Sequence, residues 1–397
     1  MTQATSRLIF VLSAIVSLGP LSIDLYLPAM PSMVTVFGTT VDRVQLTLSS
    51  YLLGFAFFHL VCGPLSDRYG RKPILIVGLS IYVLMSVLCA LSDTIEELII
   101  FRFFQAMGAC CAPTLGRAVV RDVFPPEQAV KALAYVSSLM ALAPVAAPSI
   151  GGFLLLYGDW TLMFWALALC GVFVMGLVIC CVPESLPEKQ SLHPRQIAKN
   201  YLMLLKSPDY MGNVLTAACM YASIFAFLSG ASFVLITFIG VKPEHFGFYF
   251  VFIVVGYIGG NLFTARIGYR WPSRHVFRLG IFISCGASFL MVVFSLLQWF
   301  SALFVVIPVM FVAMAVGVVM PNATAEALRP FAHMAATASA LMGFIQMGAA
   351  ATSGWLVGMF LEGPPLPMAL VIFGTGCCAV LCYWLILPRG SRKGNVC

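Results

Sequence analysis

The sequence predicts an all-α polytopic membrane protein: twelve spanning helices in two six-helix bundles, with both termini on one side. Three observations predict it. Of 397 residues, 61% are hydrophobic and 9% charged, whereas a soluble domain carries about 25% charged residues. Turns and charges punctuate the chain into twelve apolar segments, each near the ~20 residues that a spanning helix needs. One long polar connection, Pro183 to Asp209, separates six segments from six. The same composition excludes other classes. The 13 cysteines lie mostly inside apolar runs, such as Cys110-Cys111, with no CxxC, and so read as small buried hydrophobes rather than a disulfide or metal framework. No phosphate loop, no soluble nucleotide-binding domain and no Ser-His-Asp or paired-carboxylate arrangement is present. Enzyme, cofactor and nucleic-acid functions are therefore not expected.

The segments run 8–30, 45–65, 73–92, 97–119, 131–156 and 160–182, then 209–237, 245–265, 276–297, 301–323, 334–360 and 367–387. The first follows Arg7 and continues past Pro20 without a cleavage site, so it reads as an uncleaved span rather than a signal peptide. It holds Leu18-Gly-Pro-Leu-Ser-Ile-Asp-Leu-Tyr-Leu-Pro-Ala-Met-Pro31, and with it Asp24, the acid farthest from the end of any apolar segment. A charge at such depth costs roughly 2.5–3.5 kcal/mol on insertion scales and marks a functional residue by default. The ninth and tenth segments form one apolar run too long for a single span, so a turn is expected at Gln298-Trp299. The units are thus 1–182, a linker at 183–208 and 209–397 with a short tail. The linker is expected to be solvated, with a short surface helix near 196–205.

Lys and Arg set the orientation. With the termini inside, eighteen basic residues fall on the inner side against two, Arg43 and Lys242, on the outer. Arg102 and Arg117 lie within or at the edge of the fourth segment. A shift of 198 residues lays Tyr51 on Tyr249, Arg68 on Arg266, Gly70 on Gly268 and Lys72 on Arg270, while Asp67 meets Ala265. Repeated bundles of this kind place substrate sites near the midplane between them.

The most specific motif is Gly63-Pro-Leu-Ser-Asp-Arg-Tyr-Gly-Arg-Lys-Pro73, a short turn between the second and third spans. Gly70 permits a tight backbone and Pro73 suits a helix start. Arg68, Arg71 and Lys72 anchor the turn inside. Asp67 is placed to meet the positive N-terminus of another helix or to pair with an Arg. This run resembles the G-x-L-a-D-r-x-G-r-k motif of the major facilitator superfamily. The whole chain is similar to its twelve-span drug:proton antiporters, most of all the Bcr/CflA (bicyclomycin-resistance-like) group. The resemblance also rests on residues 20–31, Phe101-Arg-Phe-Phe-Gln-Ala-Met-Gly108 and Ala143-Pro-Val-Ala-Ala-Pro-Ser-Ile-Gly-Gly152, with Glu326-Ala-Leu-Arg-Pro330 a weaker echo. It implies the major facilitator fold and a multi-pass protein of the bacterial inner membrane. It further implies that Asp67 engages the start of the eleventh helix and that Arg71 pairs with Asp122. Asp24 would be the proton-carrying acid and Arg102 a residue of proton coupling, the proton serving as coupling ion.

By residue count Arg102 and Gln105 lie at the depth of Asp24. A guanidinium beside a carboxylate stabilises its charge and burial opposes it, the balance a proton switch needs; a permanent ion pair is the static alternative. In the fifth segment Ala143, Ala147 and Gly151 present a small face, with Pro144, Pro148 and Gly152 beside it. Such a face lets helices approach closely. The antiporter motif has Gly where Ala143 and Ala147 stand. Tyr26, Tyr51, Gln105, Tyr221, Phe225, Ser229, Asn261 and Gln346 are candidates for the substrate site, the aromatic ones equally readable as core or lipid-facing. His59 can titrate near neutrality. Arg117 and Glu326 read as loop anchors. The expected function is proton-coupled export of small apolar or amphipathic molecules by a monomer in the lipid bilayer. A metabolite, siderophore or nucleoside carrier of either direction is the alternative, and a sensor or channel the alternative of another class.

Overall fold

A computed structural model describes residues 3–125, 128–129, 132–133, 135–136, 140, 142–186, 194–267, 271, 273–361 and 363–386. Gly268 and Arg270, named above, lie outside them, as do five of the eighteen inner basic residues: Lys131, Lys189, Arg389, Arg392 and Lys393. α1 (Gln3–Asp24) ends because Pro28 has no N–H to give the Asp24 carbonyl. A 3₁₀ turn at Leu27–Ala29 leads into α2 (Met30–Val36). α3 (Val41–Tyr69) and α4 (Arg71–Ala90) meet at Gly70 alone. Its φ of +106° strains any residue with a side chain. The 63–73 turn is therefore shorter than expected, since Gly63–Tyr69 is helical with Pro64 inside.

α5 (Ile95–Val123), α6 (Ala143–Leu154) and α7 (Thr161–Cys181) complete the first half. In the second, α8 (Pro194–Leu205) precedes α9 (Pro208–Ser232), which continues as a π-helical turn over Phe233–Phe238. α10 (Pro243–Ile267), α11 (Ser273–Leu296) and α12 (Ala302–Leu328) follow. A 3₁₀ stretch, Arg329–Met334, then leads to α13 (Ala335–Phe360) and α14 (Leu366–Leu385). Gln298, at φ 58°, makes the turn expected between the ninth and tenth segments. Among the described residues eleven helices are long and apolar enough to cross a membrane. α6 is shorter, and the described residues between 128 and 140 are helical ahead of it.

α1, α3, α4, α5 and α7 pack among themselves, as do α9–α14. α3 against α13 and α6 against α10 join the two sets. The linker is not simply solvated. Leu204 of α8 is fully buried, and the Tyr201 hydroxyl donates to the Leu60 carbonyl of α3 at 3.2 Å.

The two sets close tightly on the side away from the chain termini, the distal side. Ser229 of α9 donates to Gln45 Oε1 of α3 at 3.0 Å. A Cβ on Gly358 would stand 2.8 Å from Gln45, and one on Gly152 would collide with the Pro243 carbonyl oxygen at the start of α10. The small-residue face of α6 thus serves contact between the halves as well as within one. Gly152→Ala should oppose this closure by an overpacking cost of about 1–3 kcal/mol, a roughly fivefold to 160-fold fall in the equilibrium constant for distal closure. A distance measured between spectroscopic probes at exposed Tyr157 and Lys242 should lengthen. An unchanged distance would show that α10 yields without separating the halves.

Candidate functional site

The break after α1 organises the site. A helix end leaves its last carbonyls without intrahelical partners. Here Arg102 of α5, fully buried, donates from Nη1 to the Ser22 carbonyl at 3.1 Å and to Gln105 Oε1 at 2.6 Å. Gln105 Nε2 passes the chain on to Ser86 Oγ at 2.7 Å, and Ser22 Oγ and the Tyr82 hydroxyl lie 2.7 Å apart. The guanidinium carbon sits 4.3 Å from the centroids of both Tyr26 and Tyr51 and 5.6 Å from that of Phe164. Nε and Nη2 have no hydrogen-bond acceptor. The rings therefore supply much of the stabilisation that a buried cation requires, each desolvated cation–π contact being worth about 2 kcal/mol.

This cage corrects two expectations. Tyr26, Tyr51 and Gln105 are fully buried around Arg102 and do not line an open substrate surface in this conformation. Asp24 and Arg102 share a depth but form no ion pair. Arg102 grips the backbone of α1 and the ring of Tyr26, on either side of Asp24 in sequence. Asp24 itself is 3% exposed, and its Oδ1 has no hydrogen-bond partner.

Asp24 instead looks toward the other half. The Leu27–Ala29 turn packs on α9, and the Asp24 carboxyl lies within electrostatic reach of Tyr221. Tyr221 and Phe225 sit one turn apart on α9 with ring centroids at 4.8 Å. Arg117 of α5 lies within electrostatic reach of Tyr221 of α9 and Tyr257 of α10, and its Nη2 contacts Met140 Sδ at 3.8 Å. It is exposed to solvent. His59 lies within its reach, with the imidazole against Gly343 of α13 and Nδ1 unpartnered. Tyr221 thus centres a loose cluster, with Phe225 against it and Asp24 and Arg117 each within electrostatic reach of it. Ser229 belongs to the distal closure instead. Asn261 donates to its own helix at Tyr257 O, and Gln346 contacts Met320 Sδ at 3.9 Å, so neither joins the cluster.

On the side of the termini, Asp67 Oδ1 pairs with Arg71 Nη1 at 2.6 Å and Asp122 Oδ2 with Arg71 Nε at 3.1 Å. The Arg71–Asp122 pair is as expected. Asp67 meets Arg71 rather than the start of α13, because the pair sits one helical turn apart across the Gly70 corner. Arg68 stays out of this network, its guanidinium carbon lying 5.3 Å from the ring of Tyr69. Lys72 Nζ donates to Ile179 O near the end of α7 at 2.9 Å.

Glu184 was not legible from the motif. Its carboxylate accepts from the N–H groups of Arg71 (2.9 Å) and Lys72 (3.2 Å), capping α4 from the first residues of the linker. Partial burial pushes this carboxyl up. The N–H donors of Leu186, Arg71, Lys72 and Ser185 more than reverse that and hold it below the ordinary Glu value. A depressed carboxyl contributes stability above the ordinary value and loses it as pH falls through the lowered one. Glu184→Gln should therefore cost about 1 kcal/mol of unfolding free energy at neutral pH, as for loss of a helix cap. The difference from wild type, read by denaturant unfolding in detergent, should vanish only in acid below the ordinary Glu range.

Comparison with known proteins agrees with this architecture. The family model described as the Major Facilitator Superfamily matches residues 12–354. The chain is 29% identical over 403 residues to the "Bicyclomycin resistance protein homolog" of Haemophilus influenzae, covering 99% of this chain and 100% of that protein. It is 31% identical over 199 residues, about half of each chain, to "Multidrug resistance protein MdtL" of Escherichia coli O9:H4. In fold it is similar to a D-xylose-proton symporter, with a TM-score of 0.75, 15% identity and full coverage of both chains. A bacterial homolog of the human lysosomal transporter Spinster gives 0.73 at 16% identity over 96% of each chain. It is a transporter rather than an enzyme, a multi-pass protein of the bacterial inner membrane, and the chain belongs to the major facilitator superfamily, with a resemblance to its Bcr/CflA group.

Proposed function

We propose that the protein is a proton-coupled antiporter that exports small apolar or amphipathic molecules, drugs among them, by alternating access. The observation that carries this reading is Asp24. It is a carboxyl with an unpartnered oxygen, placed where α1 breaks and where the two halves meet. A carboxyl without a fixed counter-ion at the midplane can take up a proton in one orientation and give it up in another. The names of the bicyclomycin- and multidrug-resistance relatives support drug export. The basic loops support twelve spans with cytoplasmic termini, so that the distal closure faces outward and the end of the bundle at Arg117 faces the cytoplasm.

In this scheme protonation of Asp24 is exchanged for cargo bound against Tyr221 and Phe225. The Asp67–Arg71–Asp122 network governs rocking of the halves, and Arg102 positions α1. The proton is the only coupling species, and one chain suffices. Reconstitution into proteoliposomes tests the reading. A bicyclomycin-like or dye substrate should move uphill when protons run downhill the other way, and a protonophore should stop it. Uphill transport insensitive to the sign of the pH gradient would overturn the antiport.

A further inference from the structure

The linker helix α8 (Pro194–Leu205) has no part in the transport scheme above, and its side chains divide into three lengthwise sectors. Residues four and seven apart share one face of a helix. Ile197, Tyr201 and Leu204 form the sector turned to the bundle. Leu204 is fully buried in a cluster with Tyr210 of α9 and Leu341 of α13, while Tyr201 bonds the Leu60 carbonyl of α3. α8 therefore touches both halves. Ala198, Leu202 and Leu205 form the next sector, all of them exposed, the two leucines to about half. Arg195, Lys199 and, just past the helix end, Lys206 form the third. All three are exposed, and among the described residues none forms an ion pair.

The level of α8 is set by its contact with α3. Phe57 and Val61, on either side of Leu60, are exposed apolar residues of a spanning helix. Exposed Arg68 follows Leu60 by two turns, about 12 Å along the axis at 1.5 Å per residue. α8 thus lies between the apolar surface of α3 and its basic end, where hydrocarbon gives way to headgroups. A leucine sector facing water forfeits its burial, and a basic sector facing hydrocarbon forfeits its hydration. Side by side on one helix, the two are both satisfied only at that boundary. Orientation in the membrane requires basic residues in the linker, but not all on one face. We propose that α8 is a surface helix that binds anionic phospholipid. Its leucine sector enters the acyl boundary on the side of the termini, and Arg195, Lys199 and Lys206 hold the lipid phosphates. Guanidinium and ammonium both donate to phosphate oxygens, and each basic residue near an anionic surface strengthens the attraction about fivefold. Neither the cargo nor the coupling proton enters this inference.

The test is amide hydrogen exchange over residues 195–206 of the full-length protein, in nanodiscs of phosphatidylcholine with and without phosphatidylglycerol. A nanodisc presents the same lipids on both faces, so the orientation of the chain does not matter. Exchange should be about tenfold or more slower with phosphatidylglycerol, and added salt should shrink the difference. Arg195→Gln, Lys199→Gln and Lys206→Gln combined should exchange alike in the two lipids, with an unchanged melting temperature in phosphatidylcholine. Exchanging Arg for Lys and Lys for Arg at the same positions should keep the effect. Leu202→Gln with Leu205→Gln should lose most of it although every charge remains. Soluble glycerol phosphate should not protect α8 in phosphatidylcholine. Should the neutral variant melt early, the salt series on the wild-type chain carries the same test. Equal exchange of the wild type in the two lipids, a lipid difference that survives loss of the three charges, full protection in the leucine variant, or protection by the soluble phosphate overturns the proposal.

Discussion

Asp24→Asn is expected to abolish gradient-driven transport and to leave the fold at least as stable. The side chain is nearly isosteric, and among the described residues the carboxyl it replaces holds no salt bridge and has one oxygen without a partner. Nothing attractive is lost, and a costly ionisable group leaves the membrane interior, where insertion scales set its price at roughly 2.5–3.5 kcal/mol. An amide, however, can neither bind nor release the coupling proton. In proteoliposomes, uphill movement should fall to the level seen without a pH gradient. Exchange of an apolar dye at equal concentration on both sides should persist, because rocking of the halves does not itself require the carboxyl. The melting temperature should stay level or rise. Continued uphill movement under a gradient would remove Asp24 from coupling and transfer the role to another titratable group on the cavity, of which His59 is the first candidate.

What could be read in advance follows from how membrane helices are encoded. Hydropathy and basic loops carry strong, local signals, so the segments, the Gln298 turn and the Gly70 corner could all be anticipated, while the Arg71–Asp122 pair was implied only by the family resemblance. Depth could be anticipated too, because residue count along a helix converts directly to distance at 1.5 Å per residue. Direction around a helix could not. Asp24 and Arg102 agree in depth, yet one faces the partner half and the other its own bundle, since the rotation of each helix is decided by side-chain packing. Apolar residues on every face erase the amphipathic periodicity that would reveal it. For the same reason Tyr26 and Tyr51 looked like pocket residues although they cage a cation. Glu184 illustrates a different loss. Its partners, Arg71 and Lys72, lie more than a hundred residues earlier, and one glutamate at the head of a polar linker carries no signal of its own.

Arg102→Lys tests whether that caged cation works through Asp24. Lysine keeps the charge but loses the flat guanidinium that contacts Tyr26 and Tyr51 at 4.3 Å and reaches both Ser22 O and Gln105. Losing the better part of one desolvated ring contact is worth about 2 kcal/mol, a roughly thirtyfold fall in gradient-driven transport if it appears wholly in the coupled step. The mechanism is positional. Arg102 satisfies a carbonyl at the end of α1 and holds Tyr26, so its loss lets the segment carrying Asp24 drift while the carboxyl itself stays. Two readouts separate this from a general loss of stability. The pH at which transport is half-maximal should move in Arg102→Lys, because the surroundings of Asp24 change. In a double-mutant cycle, Arg102→Lys should add almost nothing to Asp24→Asn in gradient-driven transport, since residues acting through one another are not additive. An additive double variant, with the pH profile unmoved, would reduce Arg102 to a packing residue of the first bundle. Coupling would then rest on the Asp24 carboxyl and the groups that face it from α9.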